Sequence, residues 1–227
     1  MADDPILKIR RVLERAPDEA IAKLASTPTG WVVDANGRRG ALSHRIRPIT
    51  KVVRAVGSAL TVRSRPCDNL APYVALKFAR AGDILVIETG GFEEASVLGD
   101  VLLGMARNAG ILAVVTDGMV RDVAGLDAVG IPVFALGLTP NSPHKDGPGE
   151  IGGTISVGGV AVATGDLVVT DQDGAVVVSR ADCARVVAAL DGIAAKEAAM
   201  DAAVRDGARM PAWVETFVTG SKVSYVD

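Results

Sequence analysis

Two short apolar runs rich in β-branched residues, Ile84–Glu88 and Ile111–Val115, predict buried strands. Between them, apolar residues recur at helical spacing over Ser96–Asn108, and Gly110 provides a left-handed residue that ends a helix. The apolar positions of this helix are Val97, Val101, Leu102, Met105 and Ala106. The order strand, loop, helix, strand, loop predicts two parallel strands whose following loops lie side by side.

The pattern before these strands predicts helices at the amino-terminal end. Pro5 opens an apolar periodicity that predicts an amphipathic helix from Ile6 to Ala16, and a second short helix spans Asp18–Ala25. We therefore assign residues 1–30 to a helical extension. Next come a strand at Gly57–Val62 and a helix that Asp68 or Asn69 caps and that runs to about Ala79.

The second half of the chain changes from helix and strand alternation to short strands. A short helix at Val123–Ala128 ends at Gly130, and a strand and a Pro- and Gly-containing loop, Thr139–Gly149, follow. Four short β runs lie between Gly152 and Val178, and a long helix extends from Asp182 to about Asp206. The pattern predicts one domain of mixed α/β class, with a core over residues 31–180 and a carboxyl-terminal helix and aromatic tail over residues 181–227.

Composition narrows the class of protein. The chain has 227 residues, of which 49% are apolar and 4% aromatic, and its formal net charge is −3. A basic patch typical of nucleic-acid binding is missing from the sequence, and we expect neither a nucleic-acid partner nor a membrane span. Cys67 and Cys183 form no CxxC motif, and two cysteines give no disulfide framework, which makes a cytoplasmic location the expectation.

The two adjacent loops carry residues suited to binding a small acid. The helix start near Gly99–Leu102 offers backbone N–H groups to an anion. Arg121 can bind a carboxylate or a keto oxygen that becomes an enolate, and Asp122 can hold Mg²⁺ or Mn²⁺ together with water and substrate oxygens. We therefore predict a site for a carboxylate-bearing substrate and a divalent metal.

Each of these residues also has a purely structural interpretation. Arg121 could form a surface ion pair, and Asp122 could cap the helix that begins at Val123. Asp100 could simply stabilise the first turn of its helix, or it could position a water molecule that relays a proton. Lys145 could attract an anionic substrate, although a solvated lysine is the simpler interpretation.

The motifs resemble a known family. Gly99-Asp100 is followed after twenty residues by Arg121-Asp122 within the DGxxRD stretch Asp117–Asp122. Together with the Gly57–Val62 strand and the later stretch GGVAVATGDLVVTDQDGAVVV, this order resembles the RraA-like family over residues 34 to 178. That family includes the class II 4-hydroxy-4-methyl-2-oxoglutarate/4-carboxy-4-hydroxy-2-oxoadipate aldolases and the regulator of ribonuclease E activity.

The resemblance implies several further properties. The fold would be the swivelling β/β/α (phosphohistidine-domain-like) sandwich, and the activity a metal-dependent lyase that releases pyruvate and also decarboxylates oxaloacetate. Asp122 would hold the metal, Arg121 would stabilise the enolate, and Gly99–Leu102, which includes Asp100, Val101 and Leu102, would bind the small 2-keto acid. A homotrimer or hexamer is implied, with Glu197 able to reach the site of a neighbouring subunit.

Two other functions remain open. The chain could be a non-catalytic regulator that binds a ribonuclease or a helicase, but the regulators of the family tend to lack the carboxylate that Asp122 retains. It could also be a menaquinone methyltransferase, an older assignment within this family. The sequence has no GxGxG loop after an amino-terminal strand, and this absence disfavours a site for a methyl donor.

Overall fold

The structure is a computed structural model that describes residues 5–227. Its first part combines three strands with three short helices. In chain order, these elements are β1 (Leu7–Ile9), α1 (Asp18–Leu24), α2 (Thr29–Ala35), β2 (Arg47–Pro48), β3 (Ala55–Ser64) and α3 (Leu70–Ala75). The predicted helix at Asp18–Ala25 and the predicted strand at Gly57–Val62 are confirmed as α1 and as part of β3.

The middle part of the chain alternates strands and helices and contains the candidate residues. Its elements are β4 (Asp83–Glu88), β5 (Ser96–Leu98), α4 (Asp100–Asn108), β6 (Ala113–Thr116), β7 (Met119–Val120), α5 (Val123–Val129), β8 (Val133–Ala135) and β9 (Gly137–Leu138). Gly110 and Gly130 have φ values of 87° and 81°, as expected of glycines that end helices in the left-handed region.

The last part contains short antiparallel strands followed by helix. Its elements are β10 (Gly149–Ile151), β11 (Ile155–Val157), β12 (Val160–Val162), β13 (Leu167–Asp171), β14 (Gly174–Val178), α6 (Cys183–Arg205) and α7 (Trp213–Val218). The first half of α6 packs on the body through Cys183, Val186 and Leu190. None of the helices described is both long and apolar enough to cross a membrane.

A nine-stranded mixed sheet forms the centre of the protein. β3, β4, β6 and β8 are parallel neighbours in that order, and β2 closes the far edge antiparallel to β8. The long strand β3 divides its free edge between two partners, because its first half pairs with β13 and its second half with β10. This mixed α/β architecture agrees with the class that the sequence predicts.

The core consists of three apolar clusters around this sheet. One cluster lies between the sheet and α3, α4 and α5, and includes Leu85, Leu102 and Leu126. A second lies on the other face, around Phe134 and the β11–β12 hairpin. A third joins α1, α2 and α6 to the β13–β14 hairpin. These clusters hold in place the strand ends from which the candidate residues extend.

The helix predicted from Ile6 to Ala16 is wrong. Leu7–Ile9 forms β1, which pairs in parallel with Gly149–Ile151, and the Arg10 N–H donates to the Ile151 carbonyl at 3.0 Å. Apolar residues at 7 and 9 also fit the two-residue period of a strand, and pairing with an available sheet edge overrides the weak helical preference. Residues 1–4 of the predicted helical extension lie outside the described residues.

The helix predicted over Ser96–Asn108 begins later than expected. Ser96–Leu98 forms β5, and α4 starts at Asp100 with Gly99 as its N-cap residue. The buried positions of α4 are Leu102, Leu103 and Ala106, whereas Val101 and Met105 are 61% and 49% exposed. The apolar pattern therefore included two residues that this chain does not bury.

Candidate active site

A small parallel sheet aligns the two candidate loops. β5, β7 and β9 form this three-stranded sheet beside the main one, with Leu98 paired to Val120 and Val120 to Leu138. The Arg121 N–H donates to the Leu98 carbonyl at 3.0 Å, and the Thr139 N–H donates to the Val120 carbonyl at 3.0 Å. Because parallel strands end at the same edge, the residues that follow each strand meet there.

Arg121 is held by a side chain on each of two segments. Its Nε donates to Asp122 Oδ2 at 3.2 Å, and its Nη1 donates to Ser142 Oγ. The Arg121 side chain is 35% exposed, so it remains accessible to a small molecule. A guanidinium keeps its charge and presents several donors in one plane, which gives this edge a fixed cation.

Asp122 occupies the N-cap position of α5 but does not cap the helix with its side chain. Its backbone lies in the left-handed region, with φ 61° and ψ 43°, and its carbonyl accepts from the Leu126 N–H at 2.9 Å. The structural interpretation of this carboxylate as a cap is therefore wrong. Asp122 is 42% exposed on its side chain, which leaves a hard oxygen ligand accessible beside Arg121.

Gly99 allows the first turn of α4 to approach the second loop closely. A methyl group at this position would lie 2.5 Å from Asp122 Oδ2 and 3.3 Å from Arg121 Nε, closer than a side chain tolerates. The backbone at Gly99 is extended, so the requirement for glycine is steric. The first N–H groups of α4 have no partners within the helix and can bind an anion.

Asp100, the first residue of α4, lies beside the first turn of α5. A methyl group at Gly125 would lie 2.6 Å from the Asp100 Cβ atom and would also contact its carboxylate. The two helices begin next to each other here, and both helix dipoles favour a negative charge at this place. The carboxylate is therefore fixed between the starts of α4 and α5.

These groups line one small cavity of about 110 Å³. Gly99, Asp100, Val101, Leu102, Arg121 and Asp122 all belong to its wall. Pockets for drug-sized ligands usually exceed roughly 300 Å³, so this volume suits a small organic acid. The six residues predicted from the sequence are thus brought together in one place.

The cavity wall also contains residues that sequence reasoning did not assign to the site. Asn69 and Tyr73 come from α3 and the segment before it, and Ser142 comes from the loop between β9 and β10. Asn69 was expected only as a helix cap. The composition of Thr139–Gly149 marked a functional loop, but nothing in the sequence indicated that Ser142 contacts Arg121.

Asp117 links the segment before Arg121 to the loop after β4. Its carboxylate accepts from the Thr89 N–H at 2.6 Å, the Thr89 hydroxyl at 3.1 Å and the Gly91 N–H at 3.1 Å. Burial raises the pKa of Asp117, while the hydrogen bonds from Thr89 oppose that rise. Asp117, at the connection between β6 and β7, therefore also fixes the loop after β4.

The other acidic candidates lie outside the cavity wall. Glu88 pairs with Arg63 at 2.6 Å, and Glu93 pairs with Arg45 at 2.5 Å. Glu197 is exposed on the second half of α6 and does not line the cavity that the described residues form. The prediction that Glu197 reaches a neighbouring subunit stays a prediction.

The residues present can hold a divalent metal only in part. Over residues 5–227, no group of three or more His, Cys, Asp or Glu residues lies together as a metal site. Mg²⁺ is commonly held by one or two carboxylates, with water and substrate oxygens as its other ligands. Asp122, exposed at the cavity, fits that description, and Asp100 is the second carboxylate of the same wall.

Comparisons with known proteins agree with this geometry. Residues 25–177 match the family described as RraA-like, Aldolase/RraA. A protein of Halalkalibacterium halodurans, provisionally named 4-hydroxy-4-methyl-2-oxoglutarate aldolase, is 36% identical over 168 residues, which cover 74% of this chain and 80% of the relative.

Solved structures of similar fold include two bacterial proteins. An uncharacterized protein from Pseudomonas syringae pv. tomato has a TM-score of 0.75 at 24% identity, covering 86% of this chain and 96% of that one. The RNA-processing inhibitor RraA from Thermus thermophilis has a TM-score of 0.63 at 30% identity, covering 67% of this chain and 93% of that one. The chain, with its mixed α/β fold, thus belongs to the RraA-like family of aldolases and RraA proteins.

Proposed function

We propose that this protein is a divalent-metal-dependent lyase that cleaves a 4-hydroxy-2-oxo acid to release pyruvate and also decarboxylates oxaloacetate. The observation that carries the proposal is the meeting of Arg121, Asp122 and the first turn of α4 in one cavity of about 110 Å³. The curated relative named as an aldolase supports the same reaction class. The second product would be an oxo acid that contains C4, whose hydroxyl group becomes the carbonyl.

The chain's own groups suit the pyruvate half of such a substrate. The free N–H groups around Gly99–Leu102 would bind the carboxylate, because a helix start favours an anion. Arg121 would donate to the keto oxygen, since its guanidinium is held at the adjacent strand end by Asp122 and Ser142. The reacting bond would then lie within reach of Asp100.

The cleavage breaks the bond between C3 and C4 of the substrate. The C4 hydroxyl passes its proton to the water molecule that Asp100 positions and becomes a carbonyl, and the bonding electrons pass to the C2 keto oxygen, which forms the enolate of pyruvate. Arg121 stabilises the negative charge that develops there. A water molecule positioned by Asp100 returns a proton to C3 and completes pyruvate.

A divalent cation fits this site through Asp122, as the accessible carboxylate beside Arg121 indicates. When bound, Mg²⁺ or Mn²⁺ would supply Lewis-acid chemistry at the keto oxygen. Its remaining ligands would be water and substrate oxygens, because the described chain offers no larger cluster of ligands.

Replacement of Arg121 tests the proposal directly. Arg121→Ala is expected to lower the turnover of oxaloacetate decarboxylation by about two to three powers of ten, because a donor to the developing charge is lost. The Michaelis constant should change less than turnover. Arg121→Lys should restore little, since a point charge cannot make paired contacts. Arg107→Ala, an exposed arginine in the last turn of α4, is the matched control.

Steady-state pyruvate release by wild type and the three variants gives the answer. Arg107→Ala should retain wild-type kinetics. Near wild-type turnover in Arg121→Ala would show that this loop is structural and would remove the aldolase assignment of the cavity.

Removal of the metal is the second test of the same function. Exhaustive treatment with EDTA should abolish pyruvate release, and addition of Mg²⁺ or Mn²⁺ should restore it, because Asp122 is a hard oxygen ligand. Asp122→Asn should lower the affinity of the site for the metal, so that part of the variant's activity returns at high Mg²⁺. Full activity of the wild type after chelation would contradict metal dependence.

A regulator that binds a ribonuclease or a helicase is the alternative function. It is favoured by the similarity to the RNA-processing inhibitor RraA from Thermus thermophilis. The retained Asp122 favours the enzyme, since an exposed carboxylate beside Arg121 suits a divalent cation. A wild-type protein that releases no pyruvate with Mg²⁺ or Mn²⁺ but binds such a partner would support the regulator.

A further inference from the structure

Arg121 depends on a second segment of the chain for its orientation. Its side chain is 35% exposed, so packing alone does not fix the plane of the guanidinium. Its Nε donates to Asp122 Oδ2 at 3.2 Å, and its Nη1 donates to Ser142 Oγ. One contact would let the planar group turn about it, whereas two contacts at different nitrogen atoms define the plane. Ser142, the acceptor that is distant in sequence, therefore determines where the remaining donors point.

The remaining donor group of Arg121 is Nη2. Among the described residues 5–227, no protein atom accepts a hydrogen bond from it. Arg121 and Ser142 line the same cavity of about 110 Å³. In the proposed reaction, the charge that develops on the keto oxygen needs a donor that is already aimed at it. The orientation that Ser142 gives to the guanidinium thus decides how well Nη2 meets that oxygen.

Asn141 fixes Ser142 through three polar groups. Its Oδ1 accepts from the Ser142 N–H at 3.0 Å, and its Nδ2 donates to the Glu94 carbonyl at 2.9 Å. Its own carbonyl accepts from the Ser96 N–H at 3.0 Å and from the Ser96 hydroxyl at 2.8 Å. Ser96 opens β5 and is 1% exposed, so this anchor is buried. Asn141 therefore joins Ser142 to the start of the small parallel sheet.

Proline residues limit the backbone on both sides of these two residues. Pro140 precedes Asn141, and Pro143 follows Ser142. A proline fixes its own φ and disfavours the helical region for the residue before it. Ser142 thus has few backbone conformations available, which lowers the entropy cost of holding its hydroxyl at Arg121.

From these contacts we infer that Asn141 and Ser142 are positioning residues for Arg121. Ser142 sets the plane of the guanidinium, and Asn141, which is exposed and outside the cavity wall, acts through Ser142. This inference rests on the proposed function, because the charge that Arg121 stabilises is that of the pyruvate enolate. Its consequence is that an exposed asparagine controls the turnover of a cavity that it does not line.

Steady-state oxaloacetate decarboxylation with Mg²⁺ tests Ser142. Ser142→Ala should lower kcat by roughly ten- to a hundredfold, since misplacement of a reacting group by about 1 Å has an effect of this order. KM should change by less than about threefold, because the contact acts on charge that develops after binding. Ser142→Thr keeps the hydroxyl and should retain kcat within about threefold. An equal loss of kcat in both variants would overturn the role of the hydroxyl.

A double-mutant cycle tests whether Asn141 acts through Ser142. Asn141→Ala alone should lower kcat about tenfold. In the Ser142→Ala background the same substitution should cost less than about twofold, because the contact through which it acts is already lost. Asn108→Ala, at an exposed asparagine that ends α4, is the matched control and should keep wild-type kinetics. Effects of the two substitutions that simply multiply would overturn the inference.

Binding of oxalate provides a measurement without turnover. Oxalate is a planar dianion that resembles the enolate of pyruvate, whereas pyruvate itself represents the unreacted state. In isothermal titration calorimetry with Mg²⁺, Ser142→Ala should weaken oxalate about tenfold and pyruvate less than about twofold, because the orientation of Arg121 matters most for a charged oxygen. Equal weakening of both ligands would make Ser142 a general binding contact and would overturn its positioning role.

The outcomes distinguish this inference from the proposed function. If the wild type releases pyruvate from oxaloacetate but Ser142→Ala and Asn141→Ala retain its kcat, the positioning role is wrong and the lyase stands. If the wild type releases no pyruvate with Mg²⁺ or Mn²⁺, the proposed function fails and the positioning role fails with it. Selective loss of kcat and of oxalate binding, at a melting temperature close to that of the wild type, supports the inference.

Discussion

Gly99 is the residue at which the backbone of one loop contacts the side chains of the other. Any side chain here would displace the Asp122 carboxylate, whose Oδ2 would lie 2.5 Å from the added carbon. The close approach brings the helix N–H groups beside the cation and the carboxylate. A short sequence motif, Gly-Asp, therefore carries a steric requirement in addition to a chemical one.

Gly99→Ala should reduce activity with little effect on folding. A displacement of Arg121 and Asp122 by about 1 Å is expected to lower turnover roughly a hundredfold. Gly104→Ala is the matched control in the same helix, because the added methyl group would meet nothing closer than 4.0 Å. The control should keep its activity and gain about 0.5–1 kcal/mol in unfolding free energy.

Steady-state decarboxylation kinetics and urea unfolding are measured for Gly99→Ala, Gly104→Ala and the wild type, and the turnover and unfolding free energies are compared. Equal activity in Gly99→Ala and wild type would show that the loop relaxes and that close approach is not needed.

The sequence predicted the reacting residues better than their neighbours. Arg121 and Asp122 follow a recognisable strand, and their spacing from Asp100 places all three at one sheet edge. Asn69 and Ser142 could not be found in this way, because their place depends on contacts over long sequence separations. Asn69 donates a hydrogen bond to the Val97 carbonyl, and Ser142 accepts one from Arg121. Loops bring these residues together, and a local sequence pattern does not specify the paths of those loops.

At the level of elements, the loop between β9 and β10 depends on one buried carboxylate. Asp68 accepts from the Leu70 N–H at 2.9 Å with one oxygen and from the two loop amides with the other. Its side chain is fully shielded from solvent. This carboxylate joins the start of α3 to the loop that carries Lys145, and residues of both segments line the cavity.

Asp68→Asn should loosen this loop. The amide cannot accept at both positions, and each lost hydrogen bond to a charged group costs about 1.5–3 kcal/mol. We expect faster hydrogen exchange at the amides of residues 144–147 and a raised Michaelis constant for dicarboxylic substrates. Asp146→Asn, whose side chain is 73% exposed in the same loop, is the matched control and should change neither.

Hydrogen exchange followed by mass spectrometry reports on the loop, and steady-state kinetics on the site. Unchanged exchange at residues 144–147 in Asp68→Asn would show that other contacts are sufficient to hold the loop.

Strand pairing explains where the prediction of elements failed. Leu7–Ile9 and Ser96–Leu98 are three residues each, and both become strands only because a partner is available. β1 pairs with Gly149–Ile151, and β5 pairs with Met119–Val120. Longer runs with a clear period, such as Asp83–Glu88 and the helix after Asp182, were predicted because their own residues determine them.

On the scale of the whole molecule, the elements that position the cavity also carry exposed apolar side chains. Val101, Met105, Val123 and Leu138 are 61%, 49%, 40% and 51% exposed. They come from α4, α5 and β9, the same elements that position the site. A group of exposed apolar residues of this kind marks an interaction surface, and we propose that another copy of the chain covers it.

The aromatic tail adds a second apolar surface. Trp213 and Phe217 of α7 stack edge to face at 6.1 Å and are 63% and 49% exposed. These exposed rings are available to a neighbouring subunit. Both surfaces suit assembly, and the trimer or hexamer stays a prediction.

Met105→Glu should disrupt the assembly and lower activity together, because a charge would be buried in the interface beside the site. Leu112→Glu is the matched control, since Leu112 is 41% exposed at the opposite end of the strands. Multi-angle light scattering at micromolar concentration should give an oligomer for the wild type and the control. A monomeric wild type, or an intact and active Met105→Glu oligomer, would contradict the proposal.

The wall of the cavity is divided between two kinds of support. Arg121 and Asp122 extend from the small parallel sheet, whereas Lys145 belongs to a loop tied back by Asp68. Divergence can act on these parts separately. Substitution or lengthening within 143–148, beyond the Ser142 that contacts Arg121, would reshape this wall of the cavity and leave the bond-breaking groups in place, so descendants of one ancestor can inherit the same chemistry and acquire different substrates.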